Sequence, residues 1–113
     1  MDFRVELTPK ALNDINSICC DLKEIGSFEI AQNWYHAITD EIQSLSTFPK
    51  AHPLAPEGEA FDVEVRQKLY GNRRSAYRIL FQIVPDESDS VVFILRVLHS
   101  ARRHLRFDEL NVN

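Results

Sequence analysis

Phe3-Arg4-Val5-Glu6-Leu7-Thr8-Pro9-Lys10-Ala11 changes period in its middle. Up to Leu7 the apolar residues alternate with Arg4 and Glu6, the two-residue repeat of a short strand with one buried face. Thr8 then offers an N-cap hydroxyl, and Pro9 falls at the first helical position, where its missing N–H costs nothing. From there Ala11, Ile15, Ile18, Leu22 and Ile25 form one apolar stripe at spacings of four and three, and Gly26 should end the helix. Ser27 can cap a second helix whose stripe runs Phe28, Ala31, Tyr35, Ile38, Ile42 and Leu45 as far as Phe48-Pro49. Two stripes joined by a Gly-Ser turn predict an antiparallel helical hairpin.

Outward from the hairpin, Phe48 to Glu59 is rich in Pro, Ala and Glu and predicts a connecting loop without helix or central strand. Three strands follow, roughly Val63 to Tyr70, Tyr77 to Val84 and Ser90 to Leu98. Turns at Gly71-Asn72 and at 85–89 make the three an antiparallel meander. The expected fold is α+β in one domain over 1–113: strand 1–7, helical hairpin 8–48, loop 49–62, antiparallel strands 63–98 and a basic C-terminal tail 99–113. The hairpin should cover one face of the sheet and leave the other open.

At 113 residues there is room for one core, and 44% hydrophobic with 27% charged residues is the composition of an ordinary folded domain. No apolar run approaches the ~20 residues of a membrane helix, and the first residues do not read as a signal peptide, so a cytoplasmic location is expected. Cys19 and Cys20 are adjacent on the first helix, their side chains about 100° apart, which suits a reducing compartment better than a bridge. Without a CxxC pair or a His and Cys cluster, no metal or other cofactor is expected.

The net charge of −4 is unevenly distributed. Residues 1–63 carry 4 basic and 11 acidic side chains, whereas residues 64–106 carry 9 basic and 4 acidic. Strand alternation puts Glu64, Arg66, Lys68 and Tyr70 on one side of the first hairpin strand, and Arg78 with Leu80 and Gln82 on the side of the next strand that faces away from Tyr77, Ile79, Phe81 and Ile83. In the last strand Phe93, Leu95 and Val97 are expected with the helices, and Ile94, Arg96 and Leu98 on the open face. Arg73 and Arg74 in the first turn, and His99, Arg102, Arg103, His104 and Arg106 after the last strand, could rim that face and hold phosphate oxygens. Equally, Arg66 and Arg96 could be cross-strand partners of acids, each worth under about 1 kcal/mol. His99 stands directly against basic residues, which favours the neutral imidazole a general base needs, although a capping or core role is as good a reading. Trp34 reads as packing, and His36 and His52 as surface residues.

Strand, helix, helix and three strands, in that order, resemble the RelE/ParE superfamily of type II toxin–antitoxin toxins. The resemblance is carried by Leu7-Thr8-Pro9 with Ala11, by Trp34, Ala37-Ile38 and Ser44-Leu45 before Phe48-Pro49, and by Val65-Arg66. It continues through Tyr77-Arg78-Ile79-Leu80-Phe81 and Ile94-Leu95-Arg96-Val97-Leu98-His99-Ser100-Ala101-Arg102, covering nearly the whole chain. It implies a small toxin neutralised by a cognate antitoxin that wraps it with a helix and extended segments.

RelE-like members are ribosome-dependent mRNA endonucleases (mRNA interferases) that need no metal: a ribose 2′-OH attacks the adjacent phosphate, leaving a cyclic phosphate and a 5′-OH. Such chemistry needs a base, cations for the phosphorane charge and an acid. By position, the resemblance makes Arg66, Lys68, Arg78 and Arg102 catalytic; His99 is the candidate base from its own basic surroundings, and Arg73, Arg74, Arg96, Arg103 and Phe107 are left as candidate RNA contacts. Phe107 lies near the place of a tyrosine common in RelE-like members; it can stack but cannot transfer a proton. ParE-like members share the Leu98-His99-Ser100-Ala101-Arg102 ending and instead inhibit DNA gyrase. The expected partners are therefore an antitoxin with the ribosome and mRNA or, alternatively, DNA gyrase, and no membrane.

Overall fold

Thr8 performs both tasks its position demands. In the computed structural model, which describes residues 3–71, 76–85, 90–100 and 105–110, its hydroxyl accepts the Ala11 N–H at 3.2 Å and donates to the Ile94 carbonyl at 2.8 Å. It thereby ends β1 (Arg4–Leu7), starts α1 (Pro9–Ile25) and ties both to the centre of the sheet. Ser27 likewise caps α2 (Phe28–Gln43) by accepting the Ile30 N–H at 3.1 Å.

Three further strands, β2 (Arg66–Tyr70), β3 (Tyr77–Pro85) and β4 (Ser90–His99), complete a four-stranded sheet of order β1-β4-β3-β2. The β2, β3 and β4 neighbours are antiparallel as the hairpin turns require, while β1 lies parallel to β4 at the edge, outside the expected meander. One core lies between the helices and the sheet: Ala11, Ile15, Ile38, Ile42 and Leu45 pack on Ile79, Phe81, Val92 and Ile94. The N-terminal part of the α2 stripe does not join it. Phe28 and Tyr35 are exposed, Ile25 at the end of α1 is 84% exposed, and Trp34 is buried in their place.

Three expectations about faces and loops need correction. First, β4 changes phase: Leu80 faces Arg96 while Phe81 faces Ile94, so Leu95 is an extra residue, a β-bulge. Val92, Ile94 and Val97 consequently meet the helices, and Phe93 and Leu95 turn to the other side. Second, the sheet has no open face there. Leu80, Leu95 and Leu98 are covered by Ala55 and Val65 from the connecting segment and by Leu105 and Leu110 from the C-terminal segment, which ends in α4 (Phe107–Leu110). Burying each of those two leucines stabilises the fold by about 2 kcal/mol. Third, the connecting segment is partly helical. Pro49–Ala51 forms a short 3-10 turn and Pro56–Ala60 forms α3, each with a proline in its first turn, where no donor is lost. Gly58 permits the tight return, since a Cβ there would lie 2.4 Å from the Val63 carbonyl oxygen.

Candidate functional site

Cross-strand pairing divides the expected cation cluster. Arg66 pairs with Phe81 and Lys68 with Ile79, both facing the helices, whereas Arg78 pairs with Leu69 and Leu98 and faces the second core. The placement of Arg66 and Lys68 beside Arg78 on one open face is thus corrected, because the Tyr70–Tyr77 register fixes opposite sides for them. A single phosphate cannot meet all three.

Arg78 is also not exposed. It is 6% accessible, and its Nη1 and Nη2 donate to Glu57 Oε2 and Oε1 at 2.7 and 2.6 Å, while Nε and Nη2 donate to Gln67 Oε1 at 3.1 and 2.9 Å. Glu57, 1% accessible, accepts the Leu105 N–H at 3.3 Å as well. Burial by itself would raise the Glu57 carboxyl, but the Arg78 hydrogen bonds, its charge and backbone N–H groups outweigh burial and leave the carboxyl below its ordinary range. Sequence reasoning missed Glu57 because a glutamate in a Pro-rich connection carries no periodic signal.

Arg96, expected to touch RNA, is held bidentately by Asp14 of α1 at 2.7 and 2.9 Å and donates to the Glu109 carbonyl at 2.6 Å. Asp14 also accepts the Val97 N–H at 3.0 Å, so one carboxylate holds both residues that follow the bulge. The Asp14 hydrogen bonds hold the Arg96 guanidinium still more firmly in its charged form. His99 is exposed at the end of β4, its ring 5.3 Å from that of Tyr77, and Tyr77 stands 5.1 Å from Trp34. Burial and the Asp21 charge raise the Tyr77 hydroxyl above its usual value. Arg73, Arg74, Arg102 and Arg103 lie outside the described residues, as does the side chain of Phe107.

Arg66 and Lys68 do come together, against the segment that follows α2. Arg66 Nη1 donates to the His52 and Lys50 carbonyls at 2.7 and 3.3 Å, and Lys68 Nζ pairs with Glu41 and donates to Ser44 Oγ at 2.6 Å. His52, half-buried and edge-on to Phe81, was expected at the surface. Burial, then the Lys68 and Arg66 charges, lower its pKa against the opposing pull of Glu41, so the neutral imidazole is favoured. On the far side of the hairpin an apolar groove of about 480 Å³ runs between α1 and α2, lined by Cys19, Cys20, Phe28 and Tyr35 among others. Both cysteines are free, and burial with the neighbouring Cys20 raises the Cys19 thiol. Among the described residues, no group of three or more His, Cys, Asp or Glu is placed to hold a metal ion, and no helix is long and apolar enough to cross a membrane.

The same architecture recurs in solved toxins. A chromosomal ParDE toxin–antitoxin system from P. aeruginosa superposes with a TM-score of 0.63 at 18% identity, over 86% of this chain and 95% of that one. The RelBE2 toxin–antitoxin complex of Mycobacterium tuberculosis gives 0.58 at 22% identity, over 88% and 99%. The free E. coli toxin RelE, in a form with two arginines changed to alanine, gives 0.56 at 16% identity, over 89% and 86%. No curated protein sequence matches the chain. Residues 5–104 match the family model described as the ParE toxin of type II toxin–antitoxin systems, parDE. A match over that span, on this fold, makes the chain a member of the ParE toxin family within the RelE/ParE toxins.

Proposed function

We infer that the protein is a cytoplasmic growth-arresting toxin that binds DNA gyrase and does not cut mRNA. The observation that carries this reading is the Arg78–Glu57 pair: the cation on which phosphate cleavage would rely already neutralises a buried carboxylate. Arg96 is engaged in the same way by Asp14. Freeing Arg78 for a substrate would leave Glu57 an uncompensated buried carboxylate, at about 3–5 kcal/mol. The toxin is held silent by a cognate antitoxin, and the groove between α1 and α2 offers its helix an apolar seat, which accounts for the exposure of Phe28 and Tyr35.

A ribosome-dependent endonuclease is the second reading, favoured by the junction of Arg66, Lys68 and a neutral His52. A base and two cations lie there within one strand's reach of each other.

Two assays on the purified protein separate them. Incubated with gyrase and relaxed plasmid, it should block supercoiling or trap cleaved DNA. Incubated with translating ribosomes on a defined message, it should leave the 5′ ends unchanged by primer extension. Cuts in the A-site codon with unimpaired supercoiling would overturn the gyrase reading.

A further inference from the structure

Phe48 combines two unfavourable features that nothing in its surroundings demands. Its backbone lies in the left-handed region (φ 53, ψ 49), where a bulky residue is an outlier, and its side chain is 78% exposed. The other non-glycine residue with positive φ among those described, Asp62, is of a type that tolerates this conformation. A glycine at 48 would relieve both features, and strain retained at an exposed aromatic points to use of the ring.

The segment around it is pinned at both ends. Lys68 grips Ser44 and Glu41 upstream, and Arg66 grips the Lys50 and His52 carbonyls downstream. Pro49 is buried beneath, and the Ala51 N–H closes on the Phe48 carbonyl at 3.1 Å. Lys50 is exposed and makes no ion pair among the described residues. Arg66 holds Glu64 at 3.4 Å, and that glutamate's side chain is 64% exposed, so a phosphate could replace it. Lys68 is engaged more firmly, by Glu41. An exposed aromatic ring on a backbone pinned at both ends, with an exposed lysine two residues away and a second replaceable contact on the adjoining strand, has the composition of a stacking platform for unpaired bases.

We propose that Phe48 and Lys50, backed by Arg66, form a contact for single-stranded nucleic acid, in which a base stacks on the Phe48 ring and the flanking phosphates meet the cations. The contact stands independently of the gyrase reading and requires no cleavage.

The test is fluorescence anisotropy of the full chain with a labelled 12-nucleotide strand, as DNA and as RNA, and with the corresponding duplex. Single strands should bind and the duplex should bind more weakly; the DNA and RNA arms tell which source the site prefers. Phe48→Gly should melt no lower than the parent protein, because the positive φ is relieved, yet lose about tenfold in affinity. Lys50→Ala should reduce the salt slope of binding by about 0.7, the share of one single-strand phosphate. Failure of the parent protein to bind either strand overturns the proposal. So does a Phe48→Gly protein that binds as tightly as the parent. Loss of toxicity in Phe48→Gly with no oligonucleotide binding by the parent would also overturn it, and would assign the ring to a protein partner.

Discussion

Arg78 and Glu57 bind each other through two parallel hydrogen bonds of 2.7 and 2.6 Å, joining β3 to α3 beneath the C-terminal segment. Arg78→Ala should therefore destabilise the fold by about 3–5 kcal/mol by leaving the Glu57 charge buried and unpaired. The double substitution Glu57→Leu with Arg78→Met should recover most of that loss. Urea denaturation of Arg78→Ala checks the loss, and that of Arg78→Met, Glu57→Leu and their combination checks the recovery; additive losses would mean that the pair is not coupled.

Acid should lower the stability of the protein in two steps. His52 has a lowered pKa in the fold, so the unfolded chain binds its proton first; that contribution is complete above about pH 6.5 and is lost as the pH falls through the folded value. Glu57 is lowered too, and its contribution is complete above about pH 4.3 and fades as the pH falls through its folded value. Melting temperatures across pH 3–8 should show both declines. His52→Gln should remove the upper one and leave the lower.

At the bulge, Asp14 accepts from Arg96 and from the Val97 N–H together. Asp14→Ala strands a mostly buried guanidinium and a backbone donor, and about 3 kcal/mol of stability should go with it. Asp14→Asn, which keeps the shape and can accept from the N–H, should cost less. Equal losses would show that the Asp14 charge paired with Arg96, and not the bond to the N–H, carries the whole effect.

Trp34 is the single tryptophan, and its Nε1–H is buried without a hydrogen-bond partner among the described residues. Trp34→Phe keeps most of the ring packing and removes that donor, so it should be close to neutral, whereas Trp34→Ala should cost about 3–5 kcal/mol. Chemical denaturation followed by far-UV circular dichroism checks this without relying on the lost fluorophore.

The elements that local chemistry dictates were readable from the chain. Thr8-Pro9, Ser27 and the alternation from Tyr77 to Ile83 each name their own structure, and the RelE/ParE resemblance agrees with the family of the chain. The faces of β4 were not readable, because a single inserted residue at Leu95 inverts every assignment on one side of it. The candidate site suffered from the same cause and from a second. A sheet face bearing Leu80 and Leu98 beside Arg78 looked open only because the segments that cover it, around Ala55 and Leu105, have no periodicity that announces their destination. The arginines there were read by charge, and their partners Glu57 and Asp14 lie 21 and 82 residues away in sequence.

The placement of β4 between β1 and β3 has a consequence during synthesis. The strand that β1 needs as neighbour is made last, and the leucines that close the second core come later still. A nascent chain carrying everything up to Pro85 has the helical hairpin and the β2–β3 pair, but neither β4 to join β1 to them nor the leucines that close the second core. At about 5–20 residues per second, the final stretch takes only a few seconds to make. Until then the N-terminal strand and hairpin stay adhesive, exposing the apolar surface that an assembled toxin hides.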